Sequence, residues 1–235
     1  MIRILDVATA LAATLARAGS GAWVGKLGPR PERPLELYEF EGCPYCRKVR
    51  EALSILDLDA VIYPCPKNGP RFRPELGRRG GKTQFPYLVD HNTGKEMYES
   101  DDIVRYLFDT YGDGSVPLLL SSGLATDLSA GVASIWRPGF GTYYRRARFP
   151  EKPLELWSFE ASPFSRIVRE ALSSLEIPYT LRNVAKDSPS REAFVARSGK
   201  MQVPYLVDPN TGIEMFESAD IVAYLESTYA ENARA

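Results

Sequence analysis

Apolar and polar residues alternate in two short segments of the chain, and each segment runs into a stretch with helical spacing. The alternating segments are 35–40 and 154–159, and alternation of this kind is typical of a β-strand with one buried face. Beyond the first segment, apolar residues recur at Val49, Leu53 and Leu56, which is the spacing of one face of a helix. The pattern therefore predicts a strand followed directly by a helix at two places in the chain.

The two places belong to an internal repeat. Residues 35–53 align with residues 154–172 at an offset of 119, with 12 of 19 positions identical. Residues 84–108 align with residues 202–226 at an offset of 118, with 18 of 25 positions identical. Self-similarity over such lengths indicates two copies of one structural unit.

We call residues 35–113 the first repeat and residues 154–231 the second repeat. Hydrophobic spacing and turn residues predict the order β-α-β-α-β-β-α in each of them. A proline, Pro44 or Pro163, stands at the predicted start of the first helix, where its missing N–H costs no hydrogen bond. The expected architecture is a four-stranded mixed sheet in each repeat, flanked by helices on both faces.

The segments that precede the repeats, residues 1–34 and 114–153, are a leader and a linker. We expect each to contain a helix, over residues 4–18 and 122–135. The leader also resembles a signal peptide, because a basic residue and an apolar stretch precede small residues at 16–18. A cleaved signal has no reason to recur in mid-chain, so the weak similarity of the two segments favours packed helices.

Composition adds no strong charge to this picture. The 235 residues include 29 Lys and Arg against 30 Asp and Glu, a formal net charge of -1, which counts against nucleic acid as a partner. No apolar run reaches the roughly 18 residues of a membrane span. Cys43, Cys46 and Cys65 are too few for a disulfide-stapled secreted scaffold and indicate intracellular thiols. We expect Cys65 to be a packed, buried thiol.

Cys43 and Cys46 carry the most specific chemical signal, the sequence Cys-Pro-Tyr-Cys between a predicted strand and helix. At the helix N-cap, free amide groups and the helix dipole favour a thiolate at Cys43, and Arg47 and Lys48 add positive charge. Cys46 lies one turn further into the helix. We therefore expect Cys43 to be the nucleophile and Cys46 the resolving thiol, with half of a zinc site as the alternative. No metal ion is expected.

Together with further motifs, this sequence resembles the glutaredoxin domain and the related N-terminal domain of glutathione S-transferases, in two tandem copies. A cis proline of these domains matches Phe85-Pro86 and Val203-Pro204, and a Glu-Ser pair matches Glu99-Ser100 and Glu217-Ser218. The similarity extends to tandem proteins of bacteria and plant plastids. It implies an α/β fold of two thioredoxin-like domains in a cytoplasmic protein, or a plastid protein in a photosynthetic eukaryote.

A glutathione site follows from this resemblance and from the charges of the tripeptide, with glutathione as a cosubstrate. Its candidate residues in the first repeat are Pro44, Tyr45, Arg73, Lys82, Phe85, Pro86, Glu99, Ser100 and Asp102. The candidate second site comprises Ser162, Val203, Pro204, Glu217 and Ser218.

Glutathione carries two carboxylates and one ammonium group, so its site needs an acceptor, helix amides and a cation. Glu99 with Asp102 would accept hydrogen bonds from the ammonium group, and Ser100 with its helix start would bind the α-carboxylate. Three cations are candidates for the glycyl carboxylate: Arg73, Arg79 and Lys82. The alternative for Ser100 is a role as helix N-cap alone.

The second repeat differs where the chemistry is expected, because Ser162 and Ser165 replace both cysteines. It cannot perform disulfide exchange. Two interpretations stay open: a glutathione-binding domain in which the Ser162 hydroxyl contacts the bound thiolate, as in serine-type transferases, or a structural partner of the first repeat. We favour the structural or auxiliary role.

The leading functional hypothesis is a glutathione-dependent thiol-disulfide oxidoreductase, acting on disulfides or on glutathionylated proteins. A glutathione transferase is second, because we expect no all-helical domain after residue 231 and residues 114–153 are too short to replace one. A binding module is third, either a redox-sensing adaptor or an iron–sulfur carrier in which Cys43 and glutathione ligate a cluster.

Overall fold

The computed structural model describes residues 19–121 and 139–231, together with Thr9. The helices expected over residues 4–18 and 122–135 lie outside these residues, apart from Thr9. Within the two described stretches, no helix combines the length and the hydropathy that a membrane crossing needs.

Both repeats follow the predicted order of elements. The first repeat contains β1 (Leu35–Glu39), α1 (Pro44–Ile55), β2 (Ala60–Pro64), α2 (Phe72–Gly80), β3 (Tyr87–Asp90), β4 (Lys95–Met97) and α3 (Ser100–Tyr111), and a short helix, α4 (Leu118–Ser121), follows it. The second repeat contains β5 (Leu154–Ser158), α5 (Pro163–Ser174), β6 (Tyr179–Asn183), α6 (Ser190–Ser198), β7 (Tyr205–Asp208), β8 (Ile213–Phe216) and α7 (Ser218–Tyr229).

One mixed sheet of eight strands runs through both repeats in the order β4-β3-β1-β2-β6-β5-β7-β8. Within each repeat the first two strands are parallel and the first and third are antiparallel. The α/β fold of two thioredoxin-like units is therefore confirmed. The two expected sheets are joined, because β2 pairs antiparallel with β6, with Ala60 opposite Leu181 and Ile62 opposite Tyr179.

The largest hydrophobic cluster of the described residues extends across both repeats. Val49 and Leu53 of α1 belong to it, and so do Leu172 of α5 and Leu175 at its C-cap, and none of the four has exposed surface. Burial of apolar surface contributes about 25 cal/mol per Å², and here that surface is shared. The repeats are thus stabilised by one another as well as internally.

Charged side chains are buried beside this core and link the repeats reciprocally. Arg50 of the first repeat contacts Glu160 of the second at 3.0 Å, and Arg169 of the second contacts Glu41 of the first at 3.1 Å. Arg50 also contacts Glu41 at 3.2 Å, Arg169 also contacts Glu160 at 2.9 Å, and Glu39 is a further partner of Arg50. Buried charges need such partners, so the cluster fixes how the repeats face each other.

The segment before each repeat packs against the other repeat. The Lys186 amide donates to the Ala22 carbonyl at 2.8 Å, and the Lys67 amide donates to the Thr142 carbonyl at 2.6 Å. The linker therefore reaches the first repeat close to its redox motif. A Cβ built on Gly42, which precedes Cys43, would overlap the Thr142 hydroxyl.

Candidate functional site

Cys43 lies at the N-cap of α1, in the turn after β1. Its backbone is extended, with φ of -82° and ψ of 121°, and its Sγ accepts a hydrogen bond from the Cys46 amide at 3.2 Å. Pro44 follows at the start of the helix. The sulfur thus faces helix amides, and the positive end of the helix dipole would stabilise a thiolate there.

Cys46 has no exposed surface, whereas Cys43 keeps 4% of its surface exposed. Burial raises the pKa of the Cys46 thiol well above its ordinary value, and the hydrogen bond with Cys43 raises it further. Both residues are free cysteines. The geometry therefore keeps Cys46 protonated behind Cys43, which fits a resolving thiol behind a nucleophile.

Arg47 and Lys48 pair with carboxylates, so the expectation that they supply charge to Cys43 does not match the structure. Arg47 Nε lies 3.1 Å from Glu51, and Lys48 forms an ion pair with Asp101. Both cationic side chains are almost fully buried, and a buried cation needs a carboxylate close to it.

Arg73 is the cation that the structure places beside the thiols. Its guanidinium lies over the ring of Phe85, 4.5 Å from the centroid, and 5.5 Å from that of Phe40. Its Nε donates to the carbonyls of Cys65 and Pro66, at 2.9 and 2.6 Å. Burial lowers the pKa of Arg73, and negative charge on the sulfurs of Cys65, Cys46 or Cys43 would act to raise it.

A cavity of about 330 Å³ opens beside the redox motif. Tyr45, Gln84, Phe85, Glu99 and Ser100 line it. The peptide bond between Phe85 and Pro86 is cis, as expected. Four candidate residues from distant parts of the repeat therefore meet at one cavity, together with Gln84.

Glu99 and Gln84 form the polar wall of this cavity. Glu99 has a positive φ of 66°, which is uncommon for a residue other than glycine. Its carboxylate accepts a hydrogen bond from Gln84 Nε2 at 2.6 Å. Gln84 was not among the predicted site residues, although its identity with Gln202 in the aligned segments was an available signal.

Several other predicted residues do not line the cavity: Pro44, Arg73, Pro86 and three charged residues with partners elsewhere. Asp102 pairs with Arg105 at 3.3 Å, and its side chain is 63% exposed. Lys82 Nζ lies 5.9 Å from the centroid of the Tyr98 ring, and Arg79 pairs with Glu96 at 2.7 Å. Each of these charges has a partner on the surface, and the spacing of residues in the sequence does not reveal such partners.

The second repeat has a corresponding cavity of about 230 Å³. It is lined by Phe164, Gln202, Val203, Pro204, Glu217 and Ser218. The bond between Val203 and Pro204 is cis, and Glu217 has a φ of 67°. Ser162 caps α5, and its Oγ accepts a hydrogen bond from the Ser165 amide at 3.2 Å.

Cys65 is a buried thiol, as expected. It has no exposed surface and packs among Tyr38, Phe72 and Leu76. Burial raises the pKa of its thiol well above the ordinary value, and Arg73 opposes this. Cys65 is therefore held in the neutral form.

Comparison with known proteins assigns both repeats to one domain family. A family model described as glutathione S-transferase, N-terminal domain, matches residues 37–115 and 156–233. No curated protein sequence matches the chain significantly.

Solved structures of two glutathione transferases are similar to parts of the chain. The Bombyx mori enzyme is 29% identical over 36% of this chain and 38% of its own, with a TM-score of 0.32. A trimeric Leishmania enzyme is 14% identical over 86% of this chain and 68% of its own, with a TM-score of 0.31. The chain thus spans well under half of the Bombyx mori enzyme.

Proposed function

The chain belongs to the glutathione S-transferase N-terminal domain family, and we propose that its first repeat is a glutathione-dependent thiol-disulfide oxidoreductase. One observation carries this proposal. The Cys43 sulfur caps α1 in front of the buried Cys46 thiol, beside the cavity that contains Glu99 and Ser100. A thiol at a helix N-terminus is the arrangement that favours a reactive thiolate.

Glutathione would bind in this cavity with its γ-glutamyl end at the start of α3. Glu99 would accept hydrogen bonds from the ammonium group, and Ser100 with the first amides of the helix would bind the α-carboxylate. Gln84 holds Glu99 in place at 2.6 Å. Tyr45 and Phe85 would cover the central part of the tripeptide. Protein disulfides and glutathionylated proteins are the proposed substrates.

The reaction is a pair of thiol-disulfide exchanges. The Cys43 thiolate attacks the glutathione sulfur of a glutathionylated protein, and the protein sulfur leaves as a thiolate that takes up a proton. Cys43 is then joined to glutathione in a mixed disulfide. A second glutathione thiolate attacks the glutathione sulfur of this disulfide, which forms glutathione disulfide and regenerates the Cys43 thiolate. Alternatively, deprotonated Cys46 attacks the Cys43 sulfur, which forms a Cys43–Cys46 disulfide and releases glutathione as a thiolate that takes up a proton. Two further glutathione molecules then reduce this disulfide and leave as glutathione disulfide.

The test is reduction of a glutathionylated peptide by glutathione, catalysed by the full chain. Cys43→Ser should abolish activity, whereas Cys46→Ser should keep part of it, because a second glutathione can resolve the mixed disulfide. Ser162→Ala is the matched control in the second repeat and should leave the rate unchanged. Glutathione binding without reduction in the natural protein would overturn the proposal.

A conjugating transferase is the second candidate, and Ser162 is the observation that favours it. Its hydroxyl occupies the N-cap of α5, in the repeat whose cavity contains Glu217 and Ser218. A hydroxyl there could donate to the thiolate of bound glutathione. Conjugation of glutathione to an aryl halide by Cys43→Ser protein, lost in addition on Ser162→Ala, would establish this function; no conjugation would exclude it.

A further inference from the structure

The N-terminus of α2 receives its cap from the other repeat. Helix α2 begins at Phe72, and the residue before it, Arg71, makes no side-chain capping bond. Instead, Glu176 Oε1 accepts hydrogen bonds from the amides of Arg71 and Phe72, both at 3.1 Å. Glu176 has no exposed surface, and a carboxylate at the first amides of a helix is favourable.

The loop before α2 is shaped around this carboxylate. A Cβ built on Gly69 would lie 2.7 Å from Glu176 Oε1. On the other side of the loop, the Arg71 guanidinium donates to the Ala147 carbonyl at 2.8 Å and lies 4.2 Å from the centroid of the Phe149 ring. Contacts from the second half of the chain therefore surround the start of α2.

Arg73 is the second residue of α2, one position beyond the amide that Glu176 holds. Because its backbone belongs to this capped turn, the place of its guanidinium over Phe85 depends on the turn. Phe85 lines the cavity next to the redox motif. Phe40 supplies the other ring near the guanidinium, and its carbonyl accepts a hydrogen bond from the Cys43 amide at 3.0 Å.

We propose that Glu176 is a positioning residue for the redox site of the first repeat, because its cap on α2 holds the Arg73 guanidinium over Phe85 and Phe40, the two rings next to Cys43 and its cavity. The inference rests on the proposed function of that site. It gives the cysteine-free second repeat a part in the chemistry that it cannot perform itself. Glu176 acts through Arg73 and the helix turn, without contact with the substrate.

The reciprocal contact offers a matched control. Asp57 corresponds to Glu176 in the alignment and also has a positive φ, 52° against 53°. Asp57 Oδ2 lies 3.4 Å from the Ser190 hydroxyl at the start of α6. Removing Asp57 therefore weakens a similar contact between the repeats, but on the helix that faces no cysteine.

The experiment measures the rate of Cys43 alkylation by iodoacetamide against pH. It uses the full chain with Cys46→Ser and Cys65→Ser, so that one thiol reacts. Arg73, the thiols of the two replaced cysteines and the carboxylates of Glu176, Glu39 and Glu75 are titratable groups around the site. Alkylation needs no glutathione, so failure of the proposed function and failure of this inference are distinguishable.

Arg73→Met removes the cation itself and should raise the pH midpoint of Cys43 alkylation. The size of this shift is the reference for the other variants. Glu176→Ala should also raise the pH midpoint of alkylation, and a shift of about half a unit lowers the rate about threefold at pH values below both midpoints. Glu176→Gln keeps one acceptor oxygen for the two amides and removes a negative charge, so it should leave the midpoint unchanged or lower it. Asp57→Ala should leave the midpoint unchanged.

Three results would overturn the inference. They are an unchanged midpoint in Arg73→Met, an unchanged midpoint in folded Glu176→Ala, or equal shifts in Glu176→Ala and Asp57→Ala. Gly69→Ala provides a second route if Glu176→Ala does not fold. Its added methyl group displaces the carboxylate from the amides without removing it, and it should raise the midpoint too; an unchanged midpoint there would also contradict the inference.

Discussion

The two repeats make the same helix cap with different atoms. In the first repeat the Cys46 amide donates to Cys43 Sγ at 3.2 Å, and in the second the Ser165 amide donates to Ser162 Oγ at 3.2 Å. The cis peptide bond and the glutamate with positive φ also occur in both. The cap and the cavity thus belong to the fold, and the chemistry depends on whether sulfur or oxygen occupies the N-cap.

The arginine near the start of α2 and its counterpart on α6 show where the two repeats differ. Arg191 Nε donates to the carbonyls of Val184 and Ala185, at 3.2 and 2.8 Å, just as Arg73 does to its own counterparts of these carbonyls. Of the two rings next to the Arg73 guanidinium, Phe40 corresponds to Phe159, but Phe85 has no aromatic counterpart, because Val203 stands in its place. The backbone contacts of the arginine are structural, and its place over a ring next to a thiol is particular to the first repeat.

Transplanting the cysteines is the strongest test of this comparison. Ser162→Cys with Ser165→Cys, in a protein whose own cysteines carry Cys43→Ser and Cys46→Ser, should restore reduction of a glutathionylated peptide from zero to a measurable rate. The N-cap of α5 already has the required geometry. The rate should stay below that of the natural protein, because the second repeat has Val203 in place of Phe85 next to its arginine. No restored activity would show that the cap geometry is insufficient.

Breaking the charge cluster between the repeats should have the next largest effect. Arg169→Met leaves Glu41 and Glu160 buried with a single shared cation, and removing one partner of a buried pair costs about 3–5 kcal/mol. The free energy of unfolding, measured with urea at pH 7, checks this. Adding Glu160→Gln should recover part of the loss. A loss below about 1 kcal/mol, typical of surface pairs, would mean that the cluster is not desolvated in solution.

Glu39 gives Arg50 a carboxylate partner that has no counterpart in the second repeat. It should make the free energy of unfolding depend on pH. Burial raises the pKa of Glu39 from its ordinary 4.5 to about 7, with Arg50 opposing the shift and Glu41 adding to it. A raised pKa in the folded state means that the folded chain retains a proton that the unfolded chain has lost. Its stability contribution therefore falls as pH rises from 4.5 to 7.

Glu39→Gln removes this dependence, since glutamine resembles the protonated acid. The variant and the natural protein should be equally stable at pH 4, and the variant should be more stable by about 1–3 kcal/mol at pH 8. Urea unfolding at several pH values gives the difference between the two proteins. The corresponding residue of the second repeat is Ser158, so the change also makes the repeats more alike. A constant difference from pH 4 to 8 would contradict the assignment.

The smallest effect is expected where the linker meets the redox loop. Gly42→Ala places a methyl group against the Thr142 hydroxyl, and overpacking of this kind costs about 1 kcal/mol. The corresponding residues are Ala161 in the second repeat and Ala22 in the leader. Thr142→Ala should therefore rescue Gly42→Ala, as judged by urea unfolding and by the rate of Cys43 alkylation. Additive losses in the double variant would show that the two residues do not touch.

Local features of the site could be predicted from the sequence because their motifs are short and local. The N-cap position of Cys43 follows from the strand-to-helix pattern, whereas the cis bond before Pro86 and the place of Glu99 at the cavity follow from the resemblance to glutaredoxin and glutathione S-transferase N-terminal domains. The X-Pro and Glu-Ser motifs occur in both repeats. Gln84 is also repeated, and the same reasoning could have found it. Repetition separates residues that the fold needs from residues that vary freely.

Contacts between the repeats could not be predicted in the same way. Arg50 lies on α1, Arg169 on α5 and Glu41 in the turn before α1, where charged residues are usually solvated. Their burial depends on partners more than 100 residues away. The pairing of β2 with β6 leaves no local signal either, because an edge strand and a central strand have similar alternation. The cap of Glu176 on α2 was missed for the same reason.

The reciprocal contacts of Arg50 with Glu160 and of Arg169 with Glu41 have the pattern of an isologous dimer, in which one surface patch meets itself. In a dimer of identical subunits, every substitution appears on both sides of the axis, so a subunit could not lose its cysteines without silencing its neighbour. A fused chain is free of that constraint. Serines can occupy one cap while cysteines keep the other, so substitutions can accumulate in one half of the chain without appearing in the other half.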